Sequence, residues 1–239
     1  MRTIGLLGGM SWESSAEYYR LLNELTRERL GGLHSSRCVL YSVDFAEIER
    51  LQVEGRWDVA AEVLAEGARA LEAAGADMVL ICTNTMHKVA DEVAAAVTIP
   101  LLHLADTTAS AVRASGLRRV GLLGTAFTME QDFYRARLAA QGLEVLVPDT
   151  AGRSTVHRVI YDELCVGFVR NESRQEFQAV IRELVAAGAE GIVLGCTEIE
   201  LLISADDCPV PVFPTTRLHA EAAVGRALAD GPPSPRESR

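Results

Sequence analysis

Two short polar clusters, each placed directly after an apolar run, hold the side chains that could carry chemistry. The first lies in Ile81–His87 (ICTNTMH) and the second in Leu194–Glu198 (LGCTE). Each stands where a predicted strand gives way to a predicted helix, so free backbone N–H groups are expected there. Such groups bind carboxylates or phosphates and can lower the pKa of a thiol. If the two strand ends face each other, one reactive group lies on each side of a small ligand.

The elements around these clusters alternate between short apolar runs and amphipathic stretches. Strands are predicted over 3–7, 38–43, 78–81 and 100–104, and helices over 12–29, 60–74, 84–97 and 107–114. Continuous apolar runs suit strands buried on both faces, as in parallel sheets with helical crossovers, so the predicted class is α/β. Open parallel sheets bind ligands at the carboxyl ends of their strands, which is where both clusters stand.

The pattern repeats within the chain. Ile4–Gly8 (IGLLG) recurs as Val120–Gly124 (VGLLG), and Ala74–Asp77 (AGAD) recurs as Ala187–Glu190 (AGAE). The matching order indicates two similar α/β lobes, 1–116 and 117–212. A last helix is predicted over 215–229, where it can pack back on the first lobe, and residues 231–239 (GPPSPRESR) are predicted to form a disordered tail.

Composition excludes several classes of function. The chain of 239 residues has a net charge of −10, which argues against a general role in binding nucleic acid. No apolar run reaches the roughly 20 residues that a membrane-spanning helix needs. Five cysteines without CxxC spacing indicate reduced thiols in the cytoplasm rather than a disulfide framework, and no Cys/His spacing fits a metal.

The alignment of the two repeats decides which residue of the first cluster faces the ligand. Without a gap, Thr83 pairs with Cys196 and Cys82 pairs with Gly195. With one gap, Cys82 pairs with Cys196 instead. The ungapped alignment is simpler, and it predicts that Cys82 is the last buried strand residue.

Four segments in order, IGLLGGMSWESSAEYYRLLNE, CTNTMHKVAD, LLGTAFTMEQDFYR and GCTEIELLI, resemble the cofactor-independent aspartate/glutamate racemase family. The resemblance covers roughly residues 1–229. It implies two Rossmann-like domains related by a pseudo-two-fold axis and facing across a cleft. It also implies racemisation without pyridoxal phosphate or metal, in which one cysteine removes the α-proton and the other reprotonates the opposite face.

The first family motif is usually C-N-T-x-H, and Thr83 stands at the position of its cysteine. The second cysteine is kept as Cys196, so the resemblance implies a branch with a Thr/Cys pair. A threonine hydroxyl is a far weaker acid than a thiol, which makes Cys196 the expected main base. Thr83 can relay a proton or hold a water molecule.

The resemblance also implies a set of residues that contact the substrate: Met10, Gln52, Asn84, Thr85, Thr125 and Thr197. Glu198 is added to this set, either as an acid or as a residue that complements a helix dipole. Gln52 is expected in the loop after the second strand. Aspartate-specific relatives carry a lysine near Cys165, so strict aspartate specificity is not expected.

The resulting hypothesis is a cytoplasmic, homodimeric racemase of aspartate, glutamate or other small polar amino acids, with no cofactor, no metal and no nucleic-acid or membrane partner. A maleate isomerase or hydantoin racemase of the same superfamily is the first alternative. The second alternative is a protein that binds an amino acid without turning it over.

Overall fold

The computed structural model describes residues 1–229; the tail predicted over 231–239 lies outside the described residues. Contacts divide the chain into two units. Unit 1 comprises Met1–Cys82, Val89–His103 and the residues from His219 onward, and unit 2 comprises Thr83–Lys88 and Leu104–Leu218. The two lobes predicted over 1–116 and 117–212 remain a prediction.

The elements of the first part of the chain follow a β-α alternation. In chain order they are β1 (Ile4–Gly8), α1 (Trp12–Leu30), β2 (Cys38–Ser42), α2 (Phe45–Val53), α3 (Trp57–Ala73), β3 (Met78–Ile81), a 3₁₀ helix (Thr85–Val89), α4 (Ala90–Ala95) and α5 (Leu104–Ala114).

The second part repeats the alternation. Its elements are β4 (Arg119–Gly124), α6 (Ala126–Glu130), α7 (Asp132–Ala140), β5 (Glu144–Leu146), α8 (Thr150–Asp162), a 3₁₀ helix (Leu164–Val166), α9 (Asn171–Ala186), β6 (Gly191–Gly195), α10 (Ile199–Leu202), a 3₁₀ helix (Ala205–Asp207), β7 (Val212–Pro214) and α11 (Thr215–Ala229).

Each unit contains one parallel sheet, so the predicted α/β class is confirmed. The strand order is β2-β1-β3 in unit 1 and β5-β4-β6-β7 in unit 2. The repeated strands β1 and β4 therefore hold equivalent places, each beside the strand that follows the repeated AGA segment. Equivalent sequence has produced equivalent strand order.

The sheet of unit 2 is buried on both faces, as its continuous apolar strands predict. Leu123 and Leu194 pack with α8 and α9 on one face, while Leu122 and Val193 pack with α5 and α7 on the other. In unit 1, apolar residues of β1, β3 and α1 pack with one face of α11: Ile4, Leu6, Tyr18, Leu22, Met78, Leu80, Ala220, Ala223, Val224 and Ala227.

Three predicted elements differ from the structure. The strand expected over 100–104 is reduced to a single bridge between Val79 and Leu101. The helix expected over 84–97 begins as a tighter 3₁₀ helix and ends at Ala95. The segment expected as a loop after β2 is α2, which Asp44 caps through the backbone N–H of Ala46.

No helix within residues 1–229 combines the length and the apolar character needed to cross a membrane.

Candidate active site

The carboxyl ends of β4 and β6 bring two predicted site residues to one edge of the sheet in unit 2. Gly124 and Gly195 are register partners, so Thr125 and Cys196 leave the sheet side by side. A Cβ added to Gly195 would lie 2.8 Å from the Leu123 carbonyl oxygen, and one added to Gly124 would lie 3.0 Å from the Gly195 carbonyl oxygen. Only glycine fits this approach, because any larger residue would push the strand ends apart.

Cys196 is buried, and its thiol has a specific partner. The Sγ atom donates to a carboxylate oxygen of Glu198 at 2.9 Å, and both side chains are more than nine-tenths buried. Burial raises the pKa of the Cys196 thiol well above its ordinary value, and the negative charge of Glu198 adds to this effect. At neutral pH the protein therefore holds Cys196 as a protonated thiol.

The raised pKa of Cys196 is opposite to the lowered pKa that the sequence predicts for a thiol at a helix N-terminus. The helix that follows Cys196 is α10, which has only four residues and begins three residues later, at Ile199. A helix this short supplies little dipole, so desolvation decides the sign.

Cys82 and Thr83 are neighbours in sequence but lie in different surroundings. Cys82 is fully buried in the apolar core of unit 1, and its Sγ atom points to the Leu80 carbonyl oxygen at 3.9 Å. Burial raises the pKa of this thiol strongly. Thr83 belongs to unit 2 and its side chain is partly exposed. The burial of Cys82 agrees with the ungapped alignment of the repeats.

A chain of hydroxyl groups joins the first cluster to the end of β4. The Oγ1 atoms of Thr85 and Thr125 lie 3.1 Å apart, and those of Thr125 and Thr128 lie 3.2 Å apart. The Thr125 hydroxyl also accepts from the Thr128 backbone N–H and caps α6. All three threonines are buried, so each hydroxyl is held in place by its neighbours.

Asn84 has one satisfied and one unsatisfied polar atom. Its Nδ2 atom donates to the Thr215 hydroxyl at 3.1 Å, and that hydroxyl donates to the Leu194 carbonyl oxygen at 2.8 Å. Its Oδ1 atom is buried and has no partner among residues 1–229. An unpaired buried carbonyl oxygen is costly, so this atom is available as an acceptor for a ligand N–H group.

Three residues that contact this cluster were missed in the sequence. Thr215 holds Asn84, as described above, and the Thr216 hydroxyl donates to the Thr197 hydroxyl at 3.1 Å. His157 of α8 accepts from the Ala126 backbone N–H at 3.2 Å, directly after Thr125. Thr215 and Thr216 carried a usable signal, because they follow β7 as the other site residues follow β4 and β6. His157 carried none, since nothing in its helix marks its partner.

Met10 and Gln52 belong to unit 1 and are both buried there. The expected loop position of Gln52 is wrong: it is the eighth of the nine residues of α2, where its carbonyl oxygen accepts from the Gly55 backbone N–H at 3.2 Å. The other predicted site residues all lie in unit 2: Thr83, Asn84, Thr85, Thr125, Cys196, Thr197 and Glu198.

The described residues contain no group of three or more His, Cys, Asp or Glu side chains arranged to hold a metal ion.

Comparison with known proteins identifies relatives over most of the chain. Residues 7–223 match the family described as Asp/Glu/Hydantoin racemase. The crystal structure of a candidate Asp/Glu racemase from Yersinia pestis is 52% identical, covers 95% of this chain and 100% of that chain, and superposes with a TM-score of 0.90. The crystal structure of an aspartate racemase homologue from Pyrococcus horikoshii OT3 is 34% identical, covers 95% of this chain and 100% of that chain, and superposes with a TM-score of 0.85.

Among curated proteins, the broad specificity amino-acid racemase RacX from Bacillus subtilis (strain 168) is 22% identical over 232 residues, which cover 95% of this chain and 98% of RacX. The family match covers most of both sheets and both polar clusters, and the solved relatives share the fold over nearly the whole length. The chain therefore belongs to the Asp/Glu/Hydantoin racemase family.

Proposed function

We propose that this protein is a cofactor-independent amino-acid racemase in which Cys196 and Thr83 exchange the α-proton on opposite faces of the substrate. The observation that carries the proposal is the buried Cys196 thiol donating to Glu198, in the same unit as the Asn84, Thr85 and Thr125 cluster. A thiol paired with a proton acceptor is the arrangement that general base catalysis requires. Family membership supports the same reaction.

Glu198 explains how a thiol with a raised pKa acts as a base. The Cys196 proton passes to the Glu198 carboxylate along the existing 2.9 Å contact, which leaves a thiolate and a neutral carboxyl group. The thiolate then takes the α-proton, the electron pair of the Cα–H bond stays on the substrate, and the thiol is restored. In the reverse direction Glu198 first takes up a proton from solvent, the thiol then delivers its own proton to the substrate carbanion, and Glu198 returns its proton to the thiolate.

Thr83 completes the exchange on the other face. Its hydroxyl does not rest as an alkoxide near neutral pH, so it gives its proton to the substrate carbanion and takes one from a hydrogen-bonded water molecule. The hydroxide that remains is neutralised by the proton that Glu198 releases to solvent. The two directions are therefore unequal, because only one face meets a thiolate. The enantiomer whose α-hydrogen faces Cys196 loses its proton faster.

The hydroxyl chain and Asn84 are suited to holding the substrate. Thr85 and Thr125 can donate to the α-carboxylate, where negative charge accumulates once the proton has left. The unpaired Asn84 Oδ1 atom can accept from the substrate ammonium group. Both contacts use groups that the fold has already fixed, so little reorganisation is needed on binding.

We propose a broad range of small polar amino acids, including aspartate and glutamate, as substrates. Cys165, the position at which a lysine would favour aspartate, packs against the apolar cluster that contains Cys196. A neutral side chain there does not select a distal carboxylate. The similarity to a broad specificity racemase supports this range.

We propose further that the enzyme is a homodimer and works in the cytoplasm. All five cysteines are free thiols, the form that a reducing compartment maintains. Tyr19, Leu30 and Leu33 in unit 1 expose large apolar surfaces, which a second subunit could cover. A dimeric mass in analytical ultracentrifugation is expected, and a monomer at micromolar concentration would refute this part.

The test of the function is a panel of pure L- and D-amino acids incubated with the purified protein after dialysis against EDTA. Chiral chromatography should show inversion of at least one small polar amino acid, with no visible absorbance from pyridoxal. Maleate and 5-substituted hydantoins belong in the same panel. Turnover of either of these instead would establish the corresponding alternative, and binding without any turnover would indicate an amino-acid-binding protein.

A further inference from the structure

His87 holds the backbone of Thr83 through a pair of contacts that fixes which ring nitrogen carries the proton. Its Nε2 atom lies 3.1 Å from the Leu104 backbone nitrogen, which can only donate, so Nε2 is the acceptor. Its Nδ1 atom lies 2.7 Å from the Thr83 carbonyl oxygen, which can only accept. A neutral ring therefore has its proton on Nδ1, and the tautomer is set by two backbone groups.

The Thr83 hydroxyl depends on this backbone anchor. Within residues 1–229 the hydroxyl makes no hydrogen bond to another protein group, and its side chain is partly exposed. No hydrogen bond of its own therefore fixes the hydroxyl among these residues, and its place follows the backbone that carries it. The Thr83 backbone in turn is tied to α5 through the buried imidazole of His87.

Cys196 has no such dependence on His87. Its thiol is held by Glu198, two residues away on the same strand-to-helix turn, and it belongs to the apolar cluster that includes residues of α8, α9 and α10. The two reacting faces of the substrate are thus supported by different parts of unit 2. A substitution at His87 should therefore slow proton transfer on the Thr83 face of the substrate and leave transfer on the Cys196 face unchanged.

We infer that His87 is the positioning residue for Thr83, and that it sets the rate of proton delivery on the Thr83 face without acting on the Cys196 face. The inference rests on the proposed racemase function. Proton transfer requires heavy atoms within about 2.6–3.2 Å. A displacement of 1 Å can cost about 100-fold in rate, so loss of the anchor should slow delivery by at least about tenfold.

Two isosteric substitutions separate the two contacts of the ring. In His87→Asn the amide nitrogen occupies the place of Nδ1 and can still donate to the Thr83 carbonyl oxygen, while the Leu104 contact is lost. In His87→Gln the amide oxygen reaches the place of Nε2 and can accept from Leu104, while the Thr83 contact is lost. Each variant loses one hydrogen bond, so their melting temperatures should fall by similar amounts.

The activity test is carried out in D₂O with the substrate found in the amino-acid panel. Deuterium that enters the starting enantiomer with retention reports on Cys196 alone, whereas deuterium in the inverted product requires Thr83 as well. We expect His87→Gln to lower the ratio of inversion to retention at least tenfold and His87→Asn to lower it by less than threefold. Thr83→Ala should also lower the ratio of inversion to retention at least tenfold. The double variant Thr83→Ala/His87→Gln should have the same ratio as Thr83→Ala alone.

Equal losses of inversion and retention in His87→Gln would show a merely structural role and overturn the inference. So would a larger fall of the ratio in His87→Asn than in His87→Gln. Exchange on neither face in the unaltered protein would overturn the racemase function and this inference together. A second readout needs no activity: ¹⁵N NMR of the unaltered protein should show His87 with its proton on Nδ1, and a proton on Nε2 would contradict the geometry.

Discussion

The Cys196 thiol donates to the Glu198 carboxylate at 2.9 Å, and both groups are buried in unit 2. Burial, to which the negative charge of Glu198 adds, keeps the thiol protonated, and the contact provides an acceptor for its proton. A buried thiol without an acceptor would be inert, because forming an isolated buried thiolate is costly.

Glu198→Gln should remove the proton acceptor and keep the shape. We expect the rate of α-proton exchange from the enantiomer that faces Cys196 to fall by about 100-fold, within the usual range for loss of an acid–base group. The measurement is deuterium incorporation followed by mass spectrometry. Glu144→Gln is the matched control, since Glu144 is a carboxylate on an exposed strand position that pairs with Arg119. Equal rates in Glu198→Gln and the control would exclude a role for Glu198.

The raised pKa of Cys196 predicts slow alkylation at neutral pH. Because the folded pKa lies above the unfolded one, the thiol adds stability below the ordinary thiol range, and that stability is lost as the pH rises through the folded pKa. Labelling of Cys196 by iodoacetamide, read by peptide mass spectrometry, should be slower at pH 8 than that of a model thiol and should rise steeply in more alkaline buffer. Burial raises the pKa of Cys208 to about 11, so the labelling rate of Cys208 serves as an internal reference for that of Cys196. Rapid labelling of Cys196 at pH 7 would contradict the raised pKa.

Thr83→Cys should create a thiol on each face of the substrate. The slower direction of racemisation is expected to rise by about tenfold or more, and the faster direction by less, because a thiolate now meets the other enantiomer. Rates are measured from pure L and pure D substrate. Thr83→Ser, which keeps the hydroxyl, is the control and should leave the ratio of the two directions nearly unchanged.

Cys82→Ser tests the second consequence of the ungapped alignment, namely that Cys82 packs in the core and does not face the ligand. It places a hydroxyl in the apolar core of unit 1 and should cost about 1–3 kcal/mol in the free energy of unfolding, with little change in exchange rate at a temperature where the variant is folded. Thermal unfolding and deuterium exchange check the two parts. Loss of exchange with unchanged stability would make Cys82 the catalytic residue of the first cluster.

Strand positions and polar clusters could be predicted because they follow from local pattern. Continuous apolar runs and the repeated glycine segments locate β1, β3 and β4 within one residue at each end, and the two polar clusters stand at the ends of β3 and β6. The strand expected over 100–104 was wrong because an apolar run next to Pro100 needs a partner over its full length, and only Leu101 finds one. The local sequence does not reveal how many residues of a strand at the edge of a sheet will pair with the neighbouring strand.

Contacts between distant residues could not be predicted. His157 meets Ala126 across 31 residues, and Thr215 meets Asn84 across 131 residues. The direction of the Cys196 pKa also depended on the fold, since the motif gives a helix start but not the burial that outweighs it. Local pattern thus predicted the candidate site, while packing determined its electrostatics.

His157 should make the turn after Thr125 sensitive to acid. Burial lowers its pKa below the ordinary value of 6.5, against the raising effect of Asp162 and Glu130. The unfolded chain therefore binds the proton first, so stability rises with pH in this window and is lost as the pH falls below about 6.5. Protonation also removes the Nδ1 acceptor for the Ala126 N–H. Tyr161 packs against the same ring at 4.7 Å between centroids.

His157→Asn keeps an acceptor near the place of Nδ1 and does not titrate. We expect its melting temperature to depend less on pH between about 5 and 6.5 than that of the unaltered protein. His34→Asn, at an exposed histidine, is the control and should change nothing. Identical pH profiles for His157→Asn and the unaltered protein would exclude this acid sensitivity.

The central claim is that Cys196 is the main base, and α-proton exchange in D₂O by Cys196→Ala tests it most directly. Cys208→Ala, which removes a partly buried thiol elsewhere in unit 2, is measured beside it with thermal unfolding to confirm that both variants are folded. We expect Cys196→Ala to lose at least 1,000-fold in deuterium incorporation from the enantiomer whose α-hydrogen faces Cys196, toward the upper part of the range for an acid–base group, while Cys208→Ala stays within about twofold of the unaltered protein. Incorporation by Cys196→Ala at a rate close to that of Cys208→Ala would contradict the account.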